Sequence, residues 1–211
     1  MSSNAAHDGG GASPARRPGQ VARGKGREAL CRALVRIVAR EGFDAITFRS
    51  VAAEAGVTHG LASYHFRTRE EMIHESLAWA VRDTLEASRL SAPIDDVARF
   101  AQEVSGFVAE RPEESVFQFE LLLRAVRSRS LLEEVRRSYD AYVEATRRSL
   151  ESVGVEGEAS AVLAFAALDG LTLQQLLYGD GRRFELGLGA LRTLLALAAS
   201  ATAPELRAAS G

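Results

Sequence analysis

The chain has little of what a catalyst or a secreted protein needs. Its single cysteine, Cys31, excludes an internal disulfide and suits a reducing cytoplasm. Cys31 lies in an apolar helical stripe, which reads as a packed thiol rather than a redox group. Histidine is scarce as well. His7, His59, His65 and His74 share no metal-ligand or triad spacing with Cys31 or with a carboxylate. The only glycine run, at 9–11, sits in a low-complexity leader and not between a strand and a helix, so no phosphate-cradling loop is present. These absences speak against an enzyme and leave no cofactor or metal to expect. No apolar segment of secretory type opens the chain. The most apolar stretches, 159–179 and 186–203, are broken by Asp169, Gln174, Gln175 and Arg192, so no membrane span is expected.

The formal net charge of −2 hides an asymmetry. Residues 1–69 hold 11 Lys/Arg against 5 Asp/Glu, and residues 70–211 hold 15 against 23. A basic head on an acidic body directs a polyanion to one end, because phosphate contacts supply sequence-independent affinity. The most informative segment lies in that head. From Thr47 to Phe66 the residues predict two short helices joined by a glycine turn, the second helix being polar. This is the pattern of a helix-turn-helix, whose second helix enters the DNA major groove. Ala52 stands four residues before Gly56, where a methyl group permits a close crossing and glycine permits φ > 0 in the turn. Val51, Val57 and Ala62 fall where they can fill the small core between the helices.

A helical period begins at Arg27, with Leu30, Leu34, Ile37 and Val38, and stops at Gly42 as C-cap. Thr47 suits the N-cap of the second helix, and the third runs from Thr58 to about His65. The fourth opens near Thr68, with Glu70 and Glu71 suiting its positive end, and closes near Ser88. Further helices are expected at about 94–109, from Pro112, at 131–153, at 158–178 and at 184–200. The fold class is therefore all-α. An N-terminal three-helix helix-turn-helix DNA-binding domain (22–68) follows a disordered basic tail (1–21) and precedes a larger helical dimerisation domain (69–205). In the tail and at the entry to the first helix, Arg16, Arg17, Arg23, Lys25 and Arg27 could reach a minor groove or simply solvate the chain. The 158–178 helix is apolar nearly all round, so it must be buried all round. A four-helix bundle of 158–178 and 184–200 with a second copy provides that burial, which predicts a homodimer.

In Ala55-Gly56-Val57-Thr58, Ser63-Tyr64-His65-Phe66 and the Arg69 before Glu70, the chain resembles the TetR family of bacterial transcriptional regulators. The resemblance covers roughly Gly26 to Leu77. Family members commonly carry Tyr at the place of Ser63 and Lys at that of Arg69. The run Gly60 to Phe66 is similar to the choline- and betaine-pathway branch. The resemblance implies a ligand-responsive repressor that binds a palindromic operator as a dimer, in the cytoplasm at the nucleoid, and leaves it when a small molecule enters the body. The alternative is a helix-turn-helix used for protein–protein contact without DNA. Thr58 would cap the reading helix, with His59 and Gly60 at its groove-facing end and Ser63 beside them. By resemblance, Tyr64 and His65 would touch phosphate or a neighbouring base. Thr47 and Arg49 would clamp the DNA backbone on one side, and Arg69 on the other. Effector-contact candidates are Trp79, Phe117, Glu120, Tyr142, Phe165, Gln174 and Tyr178, within a wider set including Phe100, Phe107, Phe119, Tyr139 and Asp169. Sparse polar groups favour a hydrophobic or amphipathic effector. A cationic one would want an aromatic cage and a carboxylate, for which Glu120 or Asp169 could serve.

Overall fold

The first helix, α1 (Arg23–Glu41), places Leu30, Ala33, Leu34, Ile37 and Val38 inward, each nearly inaccessible to solvent. In this computed structural model, which describes residues 23–208, α1 is the axis on which the basic end is built. The expected tail (1–21) lies outside the described residues. Gly42 ends α1 at φ 80°, its N–H returning to the Val38 carbonyl (2.8 Å). A short 3-10 turn, Phe43–Ala45, follows and was not foreseen from the sequence. Then come α2 (Phe48–Glu54), α3 (His59–His65) and α4 (Arg69–Ser88). The body comprises α5 (Val104–Glu110), α6 (Pro112–Ala125), α7 (Arg129–Glu151), α8 (Glu158–Tyr178) and α9 (Gly181–Ala208). No strand occurs among the described residues, so the protein is all-α.

The expected helix at 94–109 forms only in its second half. Asp96 caps a 3-10 turn at Val97–Arg99 through its carboxylate and the Ala98 N–H (2.8 Å), and Ala101 then takes φ 54°. That reversal buries Phe100 and turns its carbonyl to α9, where Arg192 donates to it from Nε (2.9 Å) and Nη2 (2.7 Å). An α-helix through this point would have kept that carbonyl for itself. The last helix is longer than expected, starting at Gly181 and running to Ala208.

The basic end is joined to the body through α1 and the 3-10 turn. α1 packs against both α4 and α6. Phe43 turns inward and stacks on Phe117 of α6 (centroids 6.3 Å apart, planes 25°), with the Arg124 guanidinium 5.1 Å from the Phe43 ring centroid. Cys31 is buried in the α1–α4 seam, and burial pushes its thiol pKa up, as a packed thiol requires. By length and composition α8 is the one described helix that could cross a membrane. Two of its polar side chains bond within the body: Gln175 donates to the Ser105 carbonyl (2.9 Å), and Asp169 accepts from the Tyr139 hydroxyl (3.3 Å).

Candidate nucleic-acid interface

The two short helices are set by their caps. Thr47 Oγ1 accepts from the Ser50 N–H and Ser50 Oγ accepts from the Thr47 N–H, each at 2.9 Å, a reciprocal box that fixes where α2 starts. The Ser50 hydroxyl also reaches the Ala45 carbonyl (2.7 Å), tying α2 to the preceding turn. Gly56 takes φ 67°, and Val57 N–H returns to the Ala52 carbonyl (2.9 Å), so the chain reverses within three residues. Thr58 caps α3 by accepting from the Leu61 N–H (3.3 Å). Val51, Ala52 and Ala62 are buried where α2 crosses α3. Their small volume lets the two backbones approach closely.

The outward face of α3 is then determined by helical spacing. Thr58, His59, Gly60, Ser63 and Tyr64 are all exposed, Tyr64 at 69%. His59 lies beside Ser63, with Nδ1 3.5 Å from the hydroxyl, and its ring tilts over Phe48. These groups offer donors and acceptors on one convex edge. His65 departs from its expected role. Its ring packs inward between Tyr64 and Phe66, and a β-carbon at Gly26 of α1 would stand only 3.2 Å from its Nε2. Burial, then the nearby Arg27 charge, hold its pKa below the ordinary histidine value. The geometry makes His65 a wedge between α3 and α1 rather than a residue of the outward face.

The arginines sort into two groups. Arg27 pairs with Glu75, Arg32 with Glu28, and Arg36 and Arg40 with Glu54, so the cations of α1 are largely neutralised within the fold. Arg69 is also committed internally. Its Nε donates to the Ile46 carbonyl (3.1 Å) and its Nη2 to the Phe43 carbonyl, bracing α4 against the 3-10 turn. The expected phosphate clamp at Arg69 is therefore first a strut. Arg49 is exposed beside the α2 cap and pairs with no carboxylate among the described residues. Arg67, between α3 and α4, has an equally free side chain, while its N–H donates to Glu71 Oε2 (2.7 Å). Arg67 is not among the residues expected to contact DNA. Its position directly after the Ser63–Phe66 run was the available signal.

In the body, one narrow cavity of about 60 Å³ lies between α4, α5, α6, α7 and α8. Tyr139 and Tyr142 of α7, Phe165, Leu168, Asp169 and Thr172 of α8, Phe107 of α5, Gln118 and Phe119 of α6, and Thr84 and Ser88 of α4 contribute to its wall. Phe165 stacks on Tyr142 (5.4 Å, 14°) and meets Tyr139 edge-on (5.5 Å, 80°). Of the expected contact residues, Tyr142 and Phe165 are on this wall and five are not. Trp79 faces α1, with the Arg32 guanidinium 5.4 Å from its ring centroid. Phe117 is spent on Phe43, Glu120 is exposed on the outer face of α6, Gln174 is exposed, and Tyr178 is exposed beside Arg183. At helical spacing each of these points away from the cavity-lining positions of its own helix. Among the wider set, Phe107, Phe119, Tyr139 and Asp169 are on the wall, and Phe100 is not.

Two family models match the chain. "Bacterial regulatory proteins, tetR family" matches residues 30–75, and "Tetracyclin repressor-like, C-terminal domain" matches residues 95–200, half of the chain. The chain belongs to the TetR family. No curated protein matches it. Among solved structures, a transcriptional regulator from Rhodococcus sp. Rha1 is 28% identical, with TM-score 0.67 over 80% of this chain and 95% of that one. The multidrug binding protein EbrR, complexed with imidazole, is 25% identical, with TM-score 0.59 over 80% and 93%. A TetR family member from Streptomyces coelicolor A3 is 24% identical, with TM-score 0.65 over 81% and 98%, and shows the shared fold.

As a TetR family member the chain is a DNA-binding transcriptional regulator and not an enzyme. Proteins of this family are soluble and cytoplasmic, act as dimers and respond to small molecules. The body presents a surface suited to pairing with a second copy. Leu163, Leu173 and Leu177 of α8, and Leu186, Leu194 and Leu197 of α9, are each more than half exposed. α8 and α9 pack closely enough that a β-carbon at Gly187 would fall inside the Leu171 side chain.

Proposed function

We propose that this regulator is a repressor that binds a palindromic operator as a dimer and is released by a small-molecule effector in the body cavity. The observation that carries the reading is the exposed edge of α3, with Thr58, His59, Gly60, Ser63 and Tyr64 outward and, beside it, Arg49 and Arg67, which pair with no carboxylate among the described residues. His59 and Ser63 read base edges, while Arg49, Arg67 and Thr47 hold phosphates. The tight turn at Gly56 brings α3 forward, and the backbone at Gly60 can approach the groove without a side chain between.

The dimer forms through α8 and α9. Their exposed leucines make an apolar surface of the kind that monomers rarely carry, and a two-fold four-helix bundle covers it on both copies at once. Two recognition helices then meet successive major-groove faces about 34–36 Å apart, or a multiple of that, and hold the protein at the nucleoid.

Release follows from the position of α4. Its first turn is bonded to the reading end through Arg69, and its last turns supply Thr84 and Ser88 to the cavity wall. Arg111 pairs with Asp83 of α4 and lies 5.2 Å from the ring centroid of Phe107, which also lines the cavity. A molecule that displaces Phe107 or Gln118 shifts α4, and the reading ends with it. It needs only to favour the conformation in which the two ends no longer match the operator. EbrR, a multidrug binding protein seen with imidazole and with proflavin, supports effector binding by this fold.

Selection of random duplex DNA on the purified protein at near-physiological salt tests the reading. Enrichment of an inverted repeat is expected. A folded dimer that enriches no sequence would favour a helix-turn-helix used for protein contact.

A further inference from the structure

We propose that the effector is an organic cation, a quaternary or aromatic ammonium, held by Asp169 inside the ring set of Tyr139, Tyr142 and Phe165. This rests on the cavity being the effector site. Asp169 is the one charged side chain on the cavity wall, and no Lys, Arg or His lines it among the described residues. A half-buried carboxylate that meets no internal cation needs another partner, and among the described residues only the Tyr139 hydroxyl reaches it, at 3.3 Å. Burial pushes its pKa above the ordinary aspartate value, while the Tyr139 bond draws it back. An incoming cation would stabilise the ionised form.

The surround has the complementary chemistry. Phe165 precedes Asp169 by one helical turn, so ring and carboxylate share one face of α8. Tyr142 and Tyr139 flank that ring face-on and edge-on, and the negative faces of such rings attract ammonium groups. Two buried hydroxyls add acceptors. Tyr142 lies beside Thr84 and Gln118, which bond to one another (3.2 Å), and its own oxygen meets no well-formed partner among the described groups. The Ser88 hydroxyl, at the α4 edge of the cavity, is likewise unmet. The cavity of about 60 Å³ is room for only a few waters, so a cation enters by moving lining side chains, Phe107 and the end of α4 included.

The test compares benzyltrimethylammonium with neopentylbenzene, its uncharged isostere, by isothermal titration into the full-length protein. The wild type should bind the cation about tenfold or more tighter than the isostere. Asp169→Asn should bring the cation down to the level of the isostere, and its unliganded melting midpoint reports that it folds. If the wild type binds the isostere as tightly as the cation, the charge assignment falls and the apolar cavity stands. A cation preference that persists in Asp169→Asn also overturns the assignment. Binding of neither probe by the wild type removes the cavity reading and this inference with it.

Discussion

Replacing Arg49 by alanine separates a DNA contact from a structural one. The side chain is exposed, caps nothing and pairs with no carboxylate among the described residues, so its loss should leave the melting midpoint unchanged. A dimer carries two copies, and each phosphate contact contributes about 0.9 to the slope of log affinity against log salt. Arg49→Ala should therefore flatten that slope by about 1.8. If each contact acts mainly through counterion release, two of them are worth roughly 30-fold in affinity near 0.15 M salt, or about 2 kcal/mol. The loss should be equal for an operator and for random DNA, because phosphates carry no sequence information. Fluorescence anisotropy on labelled duplexes across a salt series measures both quantities. An unchanged slope in a stable Arg49→Ala protein would refute the placement of this side chain on the DNA backbone.

Arg69→Ala should behave in the opposite way, lowering stability in a melt by roughly 1–3 kcal/mol as the Ile46 and Phe43 carbonyls lose their donor, with a smaller effect on the salt slope. Gly56→Ala forces a β-carbon into φ 67° and should cost about 1–2 kcal/mol by thermal denaturation, with nothing nearby to add a clash. Leu177→Asp combined with Leu194→Asp should convert dimer to monomer in sedimentation equilibrium at micromolar protein; a persisting dimer would place the interface elsewhere. The hydrogen bond from Arg36, and then that from Arg40, depress the Glu54 pKa below its ordinary 4.5. That contribution is fully present above the unfolded pKa and is lost as pH falls through the lower folded value. Glu54→Gln should thus narrow the stability difference between pH 7 and pH 3 in urea titrations.

Caps and turns were the legible part of this chain. Thr58 and Thr68 mark the starts of α3 and α4 because a hydroxyl before a helix has a local task, visible without the fold. The bounds of α8 were equally plain, since glycines flank it on both sides. The failures were tertiary. Nothing local announces that the Phe100 carbonyl is reserved for Arg192, which lies 92 positions away. Arg69 was visible as a cation, but the 3-10 turn whose carbonyls occupy it was not. For the cavity, periodicity shows that Trp79, Phe117 and Phe165 are all inward, not which neighbour each meets. Thr84, Ser88 and Gln118 carry no sequence signal, because packing alone gives them their place.

The seating of Phe43 on Phe117 bears on how such regulators could be recombined. A hybrid sensor joined between α3 and α4 would transplant a reading end whose α1 expects the α6 surface of its own body. The graft would leave an aromatic ring and part of an apolar helix uncovered, inviting misfolding before any change in specificity could be scored. A portable unit must carry the α6 face with the head, or the recipient's residues at 117 and 124 must be rewritten to receive it.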